Sequence, residues 1–222
     1  MNWIYRLERK LGRGFGVNNV MLYVTATMLA FYMLSLLIMP QLFGFMFFSS
    51  ELILYGEFWR IITFLFIPPH LGAPLWVLLT LFVAYRIGTS IEYAWGKSLF
   101  TMYLILGAIG AVIAGFITGF GSNSYLFLSL ILAFCYMNPN ATFLLFFILP
   151  VKAKYIAIFN WVLYIWAFIA GSFSTRMAIV FSLINFFLFF GPDIWRDARQ
   201  SYNRLRHRQR YRKNWGDQNP WR

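Results

Sequence analysis

Apolar residues fall in long blocks along this chain, and short polar or proline-containing breaks mark where each block stops. After Asn18 and Asn19 a first block covers 20–40 and ends at Pro40. A run of about 20 apolar residues matches a hydrocarbon core ~30 Å thick, so the pattern predicts a membrane-spanning helix. The same reading places further spans over 74–87, 99–117, 124–137, 155–170 and 177–191.

The breaks carry as much information as the blocks. Residues 41–60 are aromatic but include Ser49, Ser50, Glu51, Glu57 and Arg60, which suits a segment lying at the membrane interface. Pro68, Pro69, Gly72 and Pro74 interrupt the lead-in to the second span. Irregular backbone at that depth has to be buried in protein, because lipid offers it no hydrogen bonds. A turn containing Glu92 is expected over 91–97. Others are expected over 119–123 and 171–176, with Asn138-Pro139-Asn140 ending the fourth span and a basic turn at Lys152 and Lys154. The fourth span, from Ser124 to Met137, is short for a bilayer and is expected inside the bundle with its N-terminal end recessed. On the third span Gly107, Ala111, Gly115 and Gly119 recur at intervals of four, a small-residue face for close helix packing within the chain.

Composition agrees with the pattern. The chain is 60% hydrophobic and 12% charged, whereas soluble domains run at about 45–50% apolar and about 25% charged. An all-α integral membrane protein follows, with no cleaved signal peptide expected. The net charge of +12 gathers at the ends, with Arg6, Arg9, Lys10 and Arg13 before the first span. Arg196, Arg199, Arg204, Arg206, Arg208, Arg210, Arg212, Lys213 and Arg222 follow the last. Basic loops stay in the cytoplasm, so both termini are expected there. The chain then divides into a basic segment 1–18, a six-helix membrane domain 19–193 and a basic tail 194–222 that meets anionic lipid headgroups. No nucleic-acid partner, metal or cofactor is expected. The lone Cys135 excludes an intramolecular disulfide. Gly12, Gly14 and Gly16 lack both the preceding strand and the lysine of a phosphate loop, so they read as a linker.

Several stretches, in their order, resemble the rhomboid superfamily of intramembrane proteins. They are Trp59-Arg60 in the first loop, the Glu92 turn, the glycine-rich third span, and Ile148-Leu149-Pro150-Val151-Lys152-Ala153-Lys154 before the fifth. The likeness covers about residues 18–195 and implies a six-helix bundle with an interfacial first loop and a short central fourth helix. The superfamily contains intramembrane serine proteases and catalytically dead relatives such as derlins and inactive rhomboids.

Family proteases pair a serine, in a Gly-x-Ser-Gly motif opening the fourth span, with a histidine on the sixth. A serine hydroxyl is a feeble nucleophile until a base takes its proton. Here Ser122-Asn123-Ser124-Tyr125 falls on the motif, placing Ser124 at the nucleophile with both glycines lost. Ile179 falls at the histidine, and Ser182 and Phe186 where glycines are usual. Trp76 and Thr80 replace the helper His and Asn of the oxyanion site, whose donors must be aimed at developing charge. The only histidines are His70 and His207. The resemblance therefore implies a pseudoprotease that binds transmembrane segments of client proteins, with Ser124 vestigial. Trp59, Arg60 and Glu92 hold the loop structure, Arg86 or Lys97 being candidate partners for Glu92. His70, Thr80, Asn160 and Asn185 are candidate polar client contacts, the last three also helix–helix bridges. A divergent endopeptidase using Ser124 is the alternative, and a small transporter or channel the second. A core without a soluble domain suits a bacterial inner membrane.

Overall fold

The computed structural model describes residues 16–145 and 149–217; Arg6, Arg9, Lys10, Arg13, Ile148 and Arg222 lie outside them. In order the elements are α1 (Val20–Leu37), α2 (Leu42–Met46), β1 (Phe48–Ser49), α3 (Ser50–Leu54) and α4 (Arg60–Thr63). A 3-10 turn, Phe64–Phe66, precedes α5 (Pro74–Trp95), α6 (Lys97–Thr118), β2 (Phe120–Gly121) and α7 (Ser124–Met137). The strands β3 (Thr142–Leu145) and β4 (Leu149–Lys152) lead to α8 (Ala153–Ala170) and α9 (Phe173–Asp217). Among the described residues five helices are long and apolar enough to cross a membrane: α1, α5, α6, α8 and the Phe173–Pro192 part of α9. The protein is thus a helical, multi-pass type of chain, with α7 as a shorter apolar helix of 14 residues.

Proline at the first helical position opens α5, where its missing N–H costs nothing. The helix then runs through the expected turn at 91–97 and stops only at Gly96, whose φ of 85° suits glycine. Nothing before Gly96 breaks a helix, so Glu92 sits in the last turn of α5. Likewise α9 begins at Phe173, ahead of the expected 177. Its Arg176 donates to the carbonyls of Phe168 (2.9 Å) and Ile169 (3.1 Å), closing the end of α8. The helix also does not stop at Gly191 but contains Pro192 and runs to Asp217. The expected basic turn is instead the antiparallel ribbon β3–β4, Thr142 opposite Lys152, leaving Lys154 in α8.

Helix α1 packs on α5, where Gly88 leaves room for fully buried Met21. The Tyr32 hydroxyl donates to the Gly72 carbonyl at 2.8 Å and ties α1 to the irregular lead-in of α5. The segment 41–67 forms a small core of its own from Met46, Phe48, Ile53, Phe64 and Ile67, with Ala111 and Val112 of α6 against it. Phe48 meets Phe64 and Phe116 edge-on at 5.2 Å each, a favoured aromatic geometry. Antiparallel pairing of β1 with β2, Phe48 opposite Gly121, fastens this segment to the α6–α7 turn.

The small-residue face of α6 serves several neighbours. Gly107 meets Leu126 and Asn185, and Gly115 meets the Phe48 ring. Gly119, with φ 89°, ends the helix instead of packing. The compact unit containing all of these contacts ends at Phe186, and the described residues from 187 to 217 belong to a second unit.

Because a Cβ at Gly115 meets the Phe48 ring, Gly115→Leu overpacks the site and is expected to cost about 1–3 kcal/mol. Ile113→Leu, at a position 43% exposed, is expected to stay within about 0.5 kcal/mol. Thermal unfolding of both variants in detergent micelles checks the difference.

Candidate functional site

The start of α7 is fixed by one amide. Asn123, 4% exposed, donates from Nδ2 to the carbonyls of Leu65 (2.9 Å) and Ile67 (2.8 Å). Those carbonyls end the 3-10 turn, whose backbone cannot satisfy them internally. Pro68 and Pro69 follow, without N–H groups, and the chain passes directly over Ser124. The Ser124 hydroxyl donates to the Pro69 carbonyl at 3.4 Å and accepts from the Ser122 hydroxyl at 3.2 Å. Ser122 Oγ in turn accepts from the Ser124 backbone N–H at 3.3 Å.

Two cavities flank this residue. One, of about 480 Å³, lies between α5 and α7 and is walled by Pro69, Trp76, Thr80, Ala84, Phe127 and Ile131. The other, of about 470 Å³, lies among α7, α8 and the start of α9, with Tyr125, Leu163, Trp166, Ser174 and Thr175 in its lining. Ser124 lines both. Their walls are mainly apolar, and the polar side chains in them are uncharged, hydroxyls and the indoles of Trp76 and Trp166.

Nothing described at Ser124 acts as a base. His70 is exposed, its ring lies against Gly72, and it makes no hydrogen bond to Ser124. Ile179 is 1% exposed, a core side chain where the resemblance implies a histidine. His207 lies outside the described side chains. A hydroxyl that donates to a peptide carbonyl is oriented but not activated, since the carbonyl does not remove its proton. Trp76 and Thr80 line the α5–α7 cavity, but the Thr80 hydroxyl donates to the Trp76 carbonyl at 2.8 Å. That bond satisfies its own helix one turn back, so Thr80 does not bridge two helices as expected.

Below Ser124, α7 collects hydrogen bonds from three other helices. The Tyr125 carbonyl accepts from Ser182 of α9 at 2.6 Å and from Tyr164 of α8 at 3.2 Å, and those two hydroxyls are 2.9 Å apart. Asn160 of α8 donates to the Leu128 carbonyl at 3.1 Å. Tyr103 of α6 donates to Ser129 at 2.9 Å, and Ser129 to the Leu126 carbonyl at 2.8 Å. Asn185 of α9 donates to the Tyr103 carbonyl at 3.3 Å. The Oδ1 atoms of Asn160 and Asn185 are buried without a protein donor. Asn123, Tyr164 and Tyr103 had no place among the sequence candidates; Tyr103 and Tyr164 are hydroxyls inside otherwise apolar blocks, whereas Asn123 lies in the expected 119–123 turn.

The loop residues act away from these cavities. Arg60, 4% exposed, donates from Nη1 to the Gly44 and Phe47 carbonyls at 2.8 Å each and pairs with Glu57 at 2.5 Å. Trp59 Nε1 reaches the Phe45 carbonyl at 3.3 Å. Glu92 does not pair with Arg86 or Lys97: its Oε1 accepts from the Asn19 N–H at 2.6 Å, and its Oε2 is buried without a partner. Asn19 holds a left-handed conformation, φ 54°, so the carboxylate fixes the entry to α1. Among the described residues no cluster of three or more His, Cys, Asp or Glu is arranged to hold a metal. Compared with models of known protein families and with the sequences of curated proteins, the chain matches none.

Asn123→Ala strands two buried carbonyls and is expected to cost about 1–3 kcal/mol. Tyr164→Phe removes one hydroxyl while Ser182 still serves the Tyr125 carbonyl, so about 0.6–1 kcal/mol is expected. Unfolding of the two variants side by side tests this order.

Proposed function

We propose that the chain is a rhomboid-like pseudoprotease, a six-helix membrane protein that binds transmembrane segments of client proteins without cutting them. The observation that supports this reading is Ser124: it opens the short α7 between two apolar cavities, and its hydroxyl faces the Pro69 carbonyl at 3.4 Å. A helix of 14 residues is about 21 Å long at 1.5 Å per residue. That is shorter than a ~30 Å hydrocarbon core, and mismatch of this kind thins the bilayer locally. A client helix that is short, or carries a polar residue, gains there: the cavities offer hydroxyls that lipid lacks. Outward residues of α8, among them Phe159 and Trp166, add an apolar lateral surface. In this reading both termini face the cytoplasm, as the basic ends require.

The experiment is a fluorophosphonate probe on purified protein in micelles, paired with photo-crosslinking in native membranes. Ser124 is expected to stay unlabelled, at the level of Ser124→Ala. A photoreactive residue at Leu128, lining both cavities, is expected to capture membrane proteins that one at Ile109, on an exposed face, does not. Labelling abolished by Ser124→Ala makes the chain a protease and overturns the proposal, as does equal capture at the two positions.

A further inference from the structure

The function proposed above leaves the basic end of α9 unused. The backbone is helical to Asp217, and this changes what the arginines beyond Gly191 can meet. Arg204, Arg206, Arg208, Arg210 and Arg212 recur at every second residue. On an extended strand all five would share one face. In a helix each residue turns about 100°, so alternate positions fall about 200° apart. Positions 204, 208 and 212 then form one row, each four residues from the next, and 206 and 210 form a second row roughly 160° away. No acidic residue interrupts 198–216.

A planar lipid surface contacts one side of a helix at a time, so the far row, a helix diameter away, is screened and gains less from it. A helix that binds lipid by electrostatics carries its cations on one face, opposite an apolar one. Here the two rows leave no such division over 204–213. Polyanions that flank a helix on both sides are different: a nucleic-acid groove has phosphates along both walls. Arginine is also strongly preferred over lysine, with Lys213 the single lysine beyond Gly191. The planar guanidinium grips phosphate with two parallel hydrogen bonds and stacks on bases. Tyr202, Tyr211 and Trp215 interleave the arginines, as suits stacking on the unpaired bases of RNA loops and bulges.

We propose that this helix, on the cytoplasmic side, is a binding element for folded RNA. The proposal rests on the topology above but not on client binding, and the binding assay is independent of both. The sequence alone pointed to lipid headgroups and no nucleic acid; the helical backbone is what separates the two rows.

The test uses the full chain in neutral detergent micelles, with fluorescence anisotropy on a labelled RNA hairpin carrying an internal bulge, titrated at several salt concentrations. Parallel flotation uses vesicles containing phosphatidylglycerol. The variants are Arg206→Gln with Arg210→Gln, and Arg208→Gln with Arg212→Gln, which keep strong helix formers in place. Both pairs are expected to weaken RNA binding on the order of tenfold, each lowering the slope of log affinity against log salt by roughly 1.5. Loss confined to one pair, or binding to the vesicles but not to the hairpin, assigns the helix to a lipid surface and overturns the proposal. Hairpin binding without salt dependence overturns it as well.

Discussion

A backbone carbonyl in hydrocarbon has no water to turn to, and the structure is organised around supplying donors where helices fail to do so. The failures are local and identifiable. The segment 41–66 is made of short helical pieces whose ends expose carbonyls. Arg60 covers two of them and Asn123 two more. Each residue is buried, so each donor works in a low-dielectric setting where an unmade bond is costly.

The same constraint explains the polar centre. A 14-residue helix cannot be positioned by the membrane, because neither of its ends need reach an interface. It is positioned by side chains instead: Tyr164, Ser182 and Asn160 donate to its carbonyls, and Tyr103 reaches it through Ser129. Such bonds are individually modest in membranes, averaging about 0.6 kcal/mol. Their value lies in direction, since each fixes the height and rotation of α7 against a different helix. Ser124 is thereby held at a set depth, with open space on both sides.

Much of this was legible in the residues. Ser124 to Met137 reads as one helix because Asn138-Pro139-Asn140 can only end it. Pro74 marks the start of α5 for the same kind of local reason. The end of α5 was not legible: Glu92 and Lys97 suggest a polar turn, yet nothing before Gly96 breaks the helix, and the Glu92 carboxylate takes the Asn19 N–H, 73 positions away in the chain. The β1–β2 pairing and the β3–β4 ribbon were missed because two to four residues per strand leave no alternation to read. Asn123 looked like a turn residue, and its double bond to Leu65 and Ile67 depends on a loop that only the fold brings near. Thr80 misled in the other direction: a hydroxyl in a span can serve its own helix as easily as a neighbour.

The claim that side-chain donors hold α7 is tested most directly by amide hydrogen exchange in lipid nanodiscs, read at 126–137 in the native chain and in a Tyr164→Phe, Asn160→Leu double variant. The account predicts that these amides are among the slowest in the native protein. In the variant they are predicted to exchange roughly tenfold faster, as expected for a loss of about 1.4 kcal/mol confined to one helix, while α6 is unchanged. Equal exchange in the two proteins would contradict it.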